Sequence, residues 1–223
     1  MGILCLDIFL AVHWDIHKSL QRSLLGKFDL KHKKHFFALT LWLSSFVHAS
    51  VSSLSLLWNG NYSDMVQDLH YTDISLVIDN WEELRRIKNY EEVAGCLLFQ
   101  HLFEKCPQSK VLFGFPLDID PKSIELISSK RFIMHASYLI QMLDTALNML
   151  GPDEELLTEI MLELGLKHVR YGVKPEMFSI MGQCLLQTLE ETLKDHMTDT
   201  HKKAWQLTYS ALSGDMIRAH KKH

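Results

Sequence analysis

Three features of the sequence predict an all-α fold. From about Ile74 onward, apolar residues recur at helical spacing through stretches rich in Leu, Met, Glu and Lys; alternating β-branched runs are few; Gly and Pro fall mostly at the joints. The chain has 223 residues, 47% hydrophobic and 22% charged, enough for one compact domain with a sizeable core and short for two full ones.

The elements follow in order. A first helix carries Trp81 and Leu84, and a second runs from about Tyr90 to Phe103 and stops at Cys106–Pro107. The stretch CPQSKVLFGFPLDIDP, with its three prolines, reads as a short turn or broken helix and a loop. A long helix from about Ser129 to Leu150 ends at Gly151–Pro152, where Asp153 can cap the next helix by accepting from its free N–H groups. That helix ends near Gly172. Pro175 then stands in the first turn of another, which runs to about Lys194. The last begins near Asp199 and sets Trp205, Tyr209, Leu212 and Met216 on one face.

The formal charge of −4 provides no concentrated basic face, which sets nucleic acid aside as a partner. Residues 1–35 hold six Lys/Arg against three Asp, a balance of +3, and so leave −7 for residues 36–223. Cys5, Cys96, Cys106 and Cys184 form no CxxC pair and read as reduced thiols, with Cys96 and Cys184 as small core residues.

Residues 1–62 read as an N-terminal extension, and 74–219 as the domain proper. Within the extension, FFALTLWLSSFVHASVSSLSLLW (36–58) carries no formal charge and follows KHKK, which fits a single membrane span; six serines and His48 dilute it, and an extension without fixed structure is the alternative. The expectation is therefore a cytoplasmic protein or one anchored through 36–58. MGILCL resembles an acylation signal but has Leu6 where Ser or Thr is required. The cluster NGNYSD (59–64) is the candidate linker, and its N-x-S sequon matters only in a secretory lumen.

Two histidines stand out. Leu157, Met161, Leu164 and His168 are spaced +4, +3, +4, so an imidazole lies in line with side chains that face the core. On the preceding long helix His135, Leu139, Met142 and Ala146 repeat that spacing, beside a second row with Phe132, Ala136 and Leu143. A buried imidazole needs hydrogen-bond partners or a metal. Two readings stay open on spacing alone: independent core histidines, or a cofactor held between two helices of a bundle.

LGLKHVRYGVKPEMF resembles the proximal-histidine region of the globin family, closest in texture to neuroglobin- and cytoglobin-like globins. Trp81 is similar to the family's first-helix tryptophan, Pro107 to the proline that opens its third short helix, Phe113 to the phenylalanine that packs on haem, and Trp205 to a residue of its last helix. The resemblance spans roughly Ile74 to Ala219. It implies a globin fold, a helical sandwich enclosing haem b (iron protoporphyrin IX), with an extra N-terminal extension. His168 would be the proximal iron ligand through Nε2, its other ring nitrogen donating to a backbone carbonyl in the preceding turn. His135 would be the distal histidine and a possible sixth ligand. Phe99, Phe113, Leu139, Leu143, Leu164 and Val173 would close an apolar pocket, each of them otherwise a plain core residue.

The sequence departs from the family in places. Tyr138 stands where many globins place Lys or Arg for a haem propionate, a role left to Lys167 or Arg170. The cysteines do not match the neuroglobin disulfide.

The resemblance implies reversible binding of oxygen, carbon monoxide or nitric oxide, with oxygen storage or transport rather than catalysis. The alternatives are a redox enzyme of the nitric oxide dioxygenase, nitrite reductase or peroxidase kind, or a globin-like sensor module. Sustained turnover would need an external reductase, because the chain has no GxGxxG motif and no room for a flavin domain.

Overall fold

The computed structural model describes residues 69–220; Cys5, the uncharged stretch 36–58 and the sequon lie outside them. Among the described residues all regular structure is helical: α1 (Tyr71–Arg85), α2 (Tyr90–Lys105), α3 (Ser109–Leu112), α4 (Ile124–Ile127), α5 (Lys130–Met149), α6 (Glu154–Arg170), α7 (Pro175–Leu193), a 3₁₀ turn (Lys194–His196) and α8 (Asp199–His220). None of these helices is long and apolar enough to cross a membrane.

The joints obey the local chemistry. The Asp153 side chain accepts from the Leu156 N–H at 3.4 Å and caps α6, and Pro175 opens α7, where no intrahelical N–H is required. The three-proline stretch holds the one-turn helix α3. The separate turn α4, which sequence patterning does not distinguish from its loop, is capped by Ser123, whose side chain accepts from the Leu126 N–H at 3.3 Å.

Two helix crossings bring backbone against backbone. α2 packs on α5, and a Cβ on Gly95 would lie 2.3 Å from the Ala136 carbonyl oxygen. α6 packs on α8, and a Cβ on Gly165 would lie 2.4 Å from the Met216 carbonyl oxygen. Glycine is thus required at both by contact, not by an unusual φ. Because Ala136 follows His135 and Gly165 lies three residues before His168, these crossings fix the two helices that carry the histidines.

Buried polar tips tie α1 into this frame. Trp81 and Trp205 pack with ring centroids 5.6 Å apart; Trp81 Nε1 donates to Asp144 at 2.7 Å and Trp205 Nε1 to Asn80 at 2.9 Å. Asn80 in turn donates to the His196 carbonyl at 3.0 Å, so the 3₁₀ turn is held by the same group. Each such bond is worth about 1 kcal/mol net, and more would be lost by orphaning its buried partner.

Candidate functional site

α2, α5, α6, α7 and α8 surround an apolar cavity of about 240 Å³. Native interiors hold few voids larger than a water molecule, so a space of this size bordered by two histidines is a binding site in shape and chemistry. Phe99, Phe113, His135, Leu139, Leu143, Leu164, His168 and Val173, the eight residues singled out in the sequence, all line it.

On the α5 side, aromatic packing holds the wall. Phe99 meets Phe113 edge-on at 4.7 Å and Phe132 at 6.1 Å, which fixes Phe113 on the loop after α3 although that loop has little regular structure. The Phe113 ring lies 6.1 Å from the His135 ring. His135 is buried, and its Nε2 has no hydrogen-bond partner among the described residues. Burial, and then the Arg131 guanidinium one turn earlier, hold its pKa below the ordinary histidine value. The imidazole is therefore neutral at pH 7.

The α6 side treats its histidine differently. His168 Nδ1 lies 2.8 Å from the Leu164 carbonyl one turn back, the kind of backbone partner expected from the sequence. A carbonyl only accepts, so Nδ1 carries the proton and the neutral ring has its lone pair on Nε2. The Phe178 ring stands 5.7 Å from the His168 ring and limits its rotation.

Sequence patterning missed part of the lining. Met142 and Met161, on the two histidine stripes, border the cavity, and so do Met177, Met181, Met216, Phe178 and Tyr209, which were not singled out for it. A signal was present: Phe178, Met181 and Leu185 follow at +3 and +4 on α7, and Tyr209, Leu212 and Met216 continue the stripe that begins with Trp205. A methionine stripe reads equally well as core, since the flexible thioether fills irregular space. The thiols stay outside this chemistry. Cys96, Cys106 and Cys184 are free, and burial pushes Cys96 and Cys184 up to about 11.

A globin family model matches residues 97–216. This chain belongs to the globin family. Neuroglobin from Danio rerio is 31% identical over 153 residues, covering 69% of this chain and 93% of that protein, and neuroglobin from Tetraodon nigroviridis is 30% identical over the same shares. Among solved structures, a hexacoordinated haem protein from an anhydrobiotic tardigrade is 21% identical with a TM-score of 0.59, over 69% of this chain and 96% of that one. The all-helical architecture is the globin fold, and the cofactor of this globin is haem.

The residues present fit that group. Among the described residues no cluster of three or more His, Cys, Asp or Glu could hold a bare metal ion, whereas haem would ask the chain for only one or two side-chain donors. The cavity presents such donors from two helices, α6 and α5: an imidazole with its proton held on Nδ1, and a neutral imidazole whose Nε2 is buried and has no partner among the described residues. The rest of the lining is flat aromatic and aliphatic surface suited to a macrocycle.

Proposed function

We propose that this globin reversibly binds a diatomic gas, with His168 as the proximal iron ligand and His135 across the cavity from it. The observation that carries the proposal is the pair of histidines on one apolar cavity, one with its tautomer set by a backbone carbonyl and the other with a buried Nε2 that has no partner among the described residues. When bound, the haem iron supplies the site at which oxygen, carbon monoxide or nitric oxide is held.

The chain's own residues do the rest. The Leu164 carbonyl keeps His168 oriented and makes Nε2 the more basic nitrogen. Phe99, Phe113, Leu139, Leu143, Leu164 and Val173 exclude water and offer van der Waals contact to the macrocycle. His135 serves one of two roles. As the Nε2–H tautomer it would donate to the polar end of a gas; with its lone pair on Nε2 it would itself be a donor to the iron, in competition with a gas. The orphaned Nε2 supports both, and its lowered pKa supports a neutral ring in either.

Replacement of His135 by Leu separates the roles. A donor role predicts that oxygen dissociates at least tenfold faster while carbon monoxide changes much less, because oxygen draws more negative charge and loses more with the donor. A ligand role predicts a six-coordinate ferrous absorption spectrum that becomes five-coordinate in His135→Leu. Equal small effects on both gases with an unchanged spectrum would remove His135 from the site.

A further inference from the structure

Two cations hold the loop after α3 from opposite ends. Lys110 is buried, and its Nζ donates to the carbonyls of Leu117 at 2.9 Å and Ile119 at 2.7 Å. Arg131, in the first turn of α5, reaches the start of the same loop. Its guanidinium donates to the Gly114 carbonyl at 3.5 Å and stands 5.4 Å from the centre of the Phe115 ring, within cation–π range. Gly114 has φ +71°, and a Cβ there would collide with Arg131 Nη2, so the guanidinium lies directly on this backbone. Arg131 Nε is buried without a hydrogen-bond partner among the described residues. An arginine left in water would not bury a donor unpaired; this one is drawn inward by the loop.

The residue before Gly114 gives this contact its consequence. Phe113 turns its ring to within 6.1 Å of the His135 ring, and His135 follows Arg131 by one helical turn on the same face of α5. Arg131 therefore grips the backbone next to the ring that His135 meets. We propose that Arg131 is a positioning residue for His135: by pinning Gly114 and Phe115 to α5 it keeps the Phe113 ring against the imidazole and restricts the orientations His135 can take. The inference rests on the reading of His135 given above for its purpose, whereas the pinning itself does not depend on haem. Shape matters here as well as charge, because a planar guanidinium can donate to a carbonyl while lying over a ring and a lysine ammonium cannot.

The test uses the full chain as wild type, Arg131→Met and Arg131→Lys, each also combined with His135→Leu. Amide hydrogen exchange is followed at Gly114 and Phe115, whose N–H groups donate to the Val111 and Lys110 carbonyls at 2.9 Å each, before and after haem is added. Both Arg131 variants should exchange there about fivefold faster, the factor for one modest hydrogen bond. Haem content is then established by absorption, and oxygen and carbon monoxide rates are measured. In whichever rate His135→Leu departs from wild type, both Arg131 variants should move about threefold in the same direction, and neither should change it further once His135 is Leu. Exchange at the wild-type rate in both variants would overturn the pinning. Wild-type exchange and gas rates in Arg131→Lys alone would overturn it too, since charge without the planar fork would then suffice. Equal effects of Arg131→Met on gas rates with and without His135 would overturn the positioning role. Failure of the underlying reading is seen separately, as His135→Leu rates that match wild type; that outcome removes the positioning role even where exchange responds.

Discussion

The α5 and α6 sides of the cavity are seated by one device and finished by two. Each histidine-bearing helix is brought into place by a glycine contact, Gly95 on the Ala136 carbonyl and Gly165 on the Met216 carbonyl. Yet His168 has Nδ1 tied to the Leu164 carbonyl, while His135 Nε2 is buried without a partner among the described residues. The difference teaches what each side is for. In the proposed reading, His168 is anchored by backbone because it must hold one orientation, and the His135 Nε2, whose burial unpaired costs about 1–3 kcal/mol, would find its partner in a ligand.

The largest effect should come from removing the anchored side. His168→Ala should lose haem, or hold it weakly through His135 with an altered spectrum, and imidazole should partly restore the ferrous spectrum by entering the space left behind. The melting temperature should fall with haem affinity: cofactor at 1,000 times its Kd stabilises the native state by about 4 kcal/mol. Helical content by circular dichroism should change far less. Stoichiometric haem uptake with the parent spectrum would break the comparison at its stronger end.

The seating contacts come next. Gly165→Ala and Gly95→Ala each force a Cβ onto a carbonyl oxygen, so the paired helices must separate, at about 1–3 kcal/mol of unfolding free energy in urea titrations. Gly165→Ala should also perturb the iron–histidine bond, being three residues from His168, whereas Gly95→Ala should act on ligand rates through His135. Matching spectroscopic effects from both would show that the two sides are not separately seated.

The smallest effect concerns pH. The His135 pKa is lowered in the native state by burial and by Arg131, so the unfolded chain binds this proton more readily. Its contribution to stability is complete above about pH 6.5 and is lost as pH falls toward the native value, with a slope of at most about 1.4 kcal/mol per pH unit. Stability of the wild type minus that of His135→Leu, measured between pH 7 and 5, should decline on acidification; a flat difference would mean the imidazole is not held neutral.

Helix order, both histidines and the Phe113 wall were legible because they rest on 3.6-residue periodicity, proline and glycine joints, and a family resemblance read residue by residue. The α4 turn was not, since four residues capped by Ser123 leave no periodic trace. Nor was the contribution of α7 and α8 to the cavity. Met177, Met181 and Met216 satisfy a core pattern and a cavity pattern equally well, and only the packing of α7 and α8 around the same space separates them. Gly95 and Gly165 could have been read as weak points of their helices; only the opposing carbonyls reveal them as contacts.

His168, with its proton on Nδ1, is proposed to bond the iron. Resonance Raman spectroscopy of the ferrous His135→Leu protein tests it directly, because removal of the opposite imidazole leaves a five-coordinate iron whose bond to the proximal histidine gives its own stretching band. This band should be present, shift on ¹⁵N-histidine labelling, and disappear when His168 is also replaced by Ala. A ¹⁵N-sensitive iron–histidine band that survives in the double variant His135→Leu/His168→Ala would contradict it.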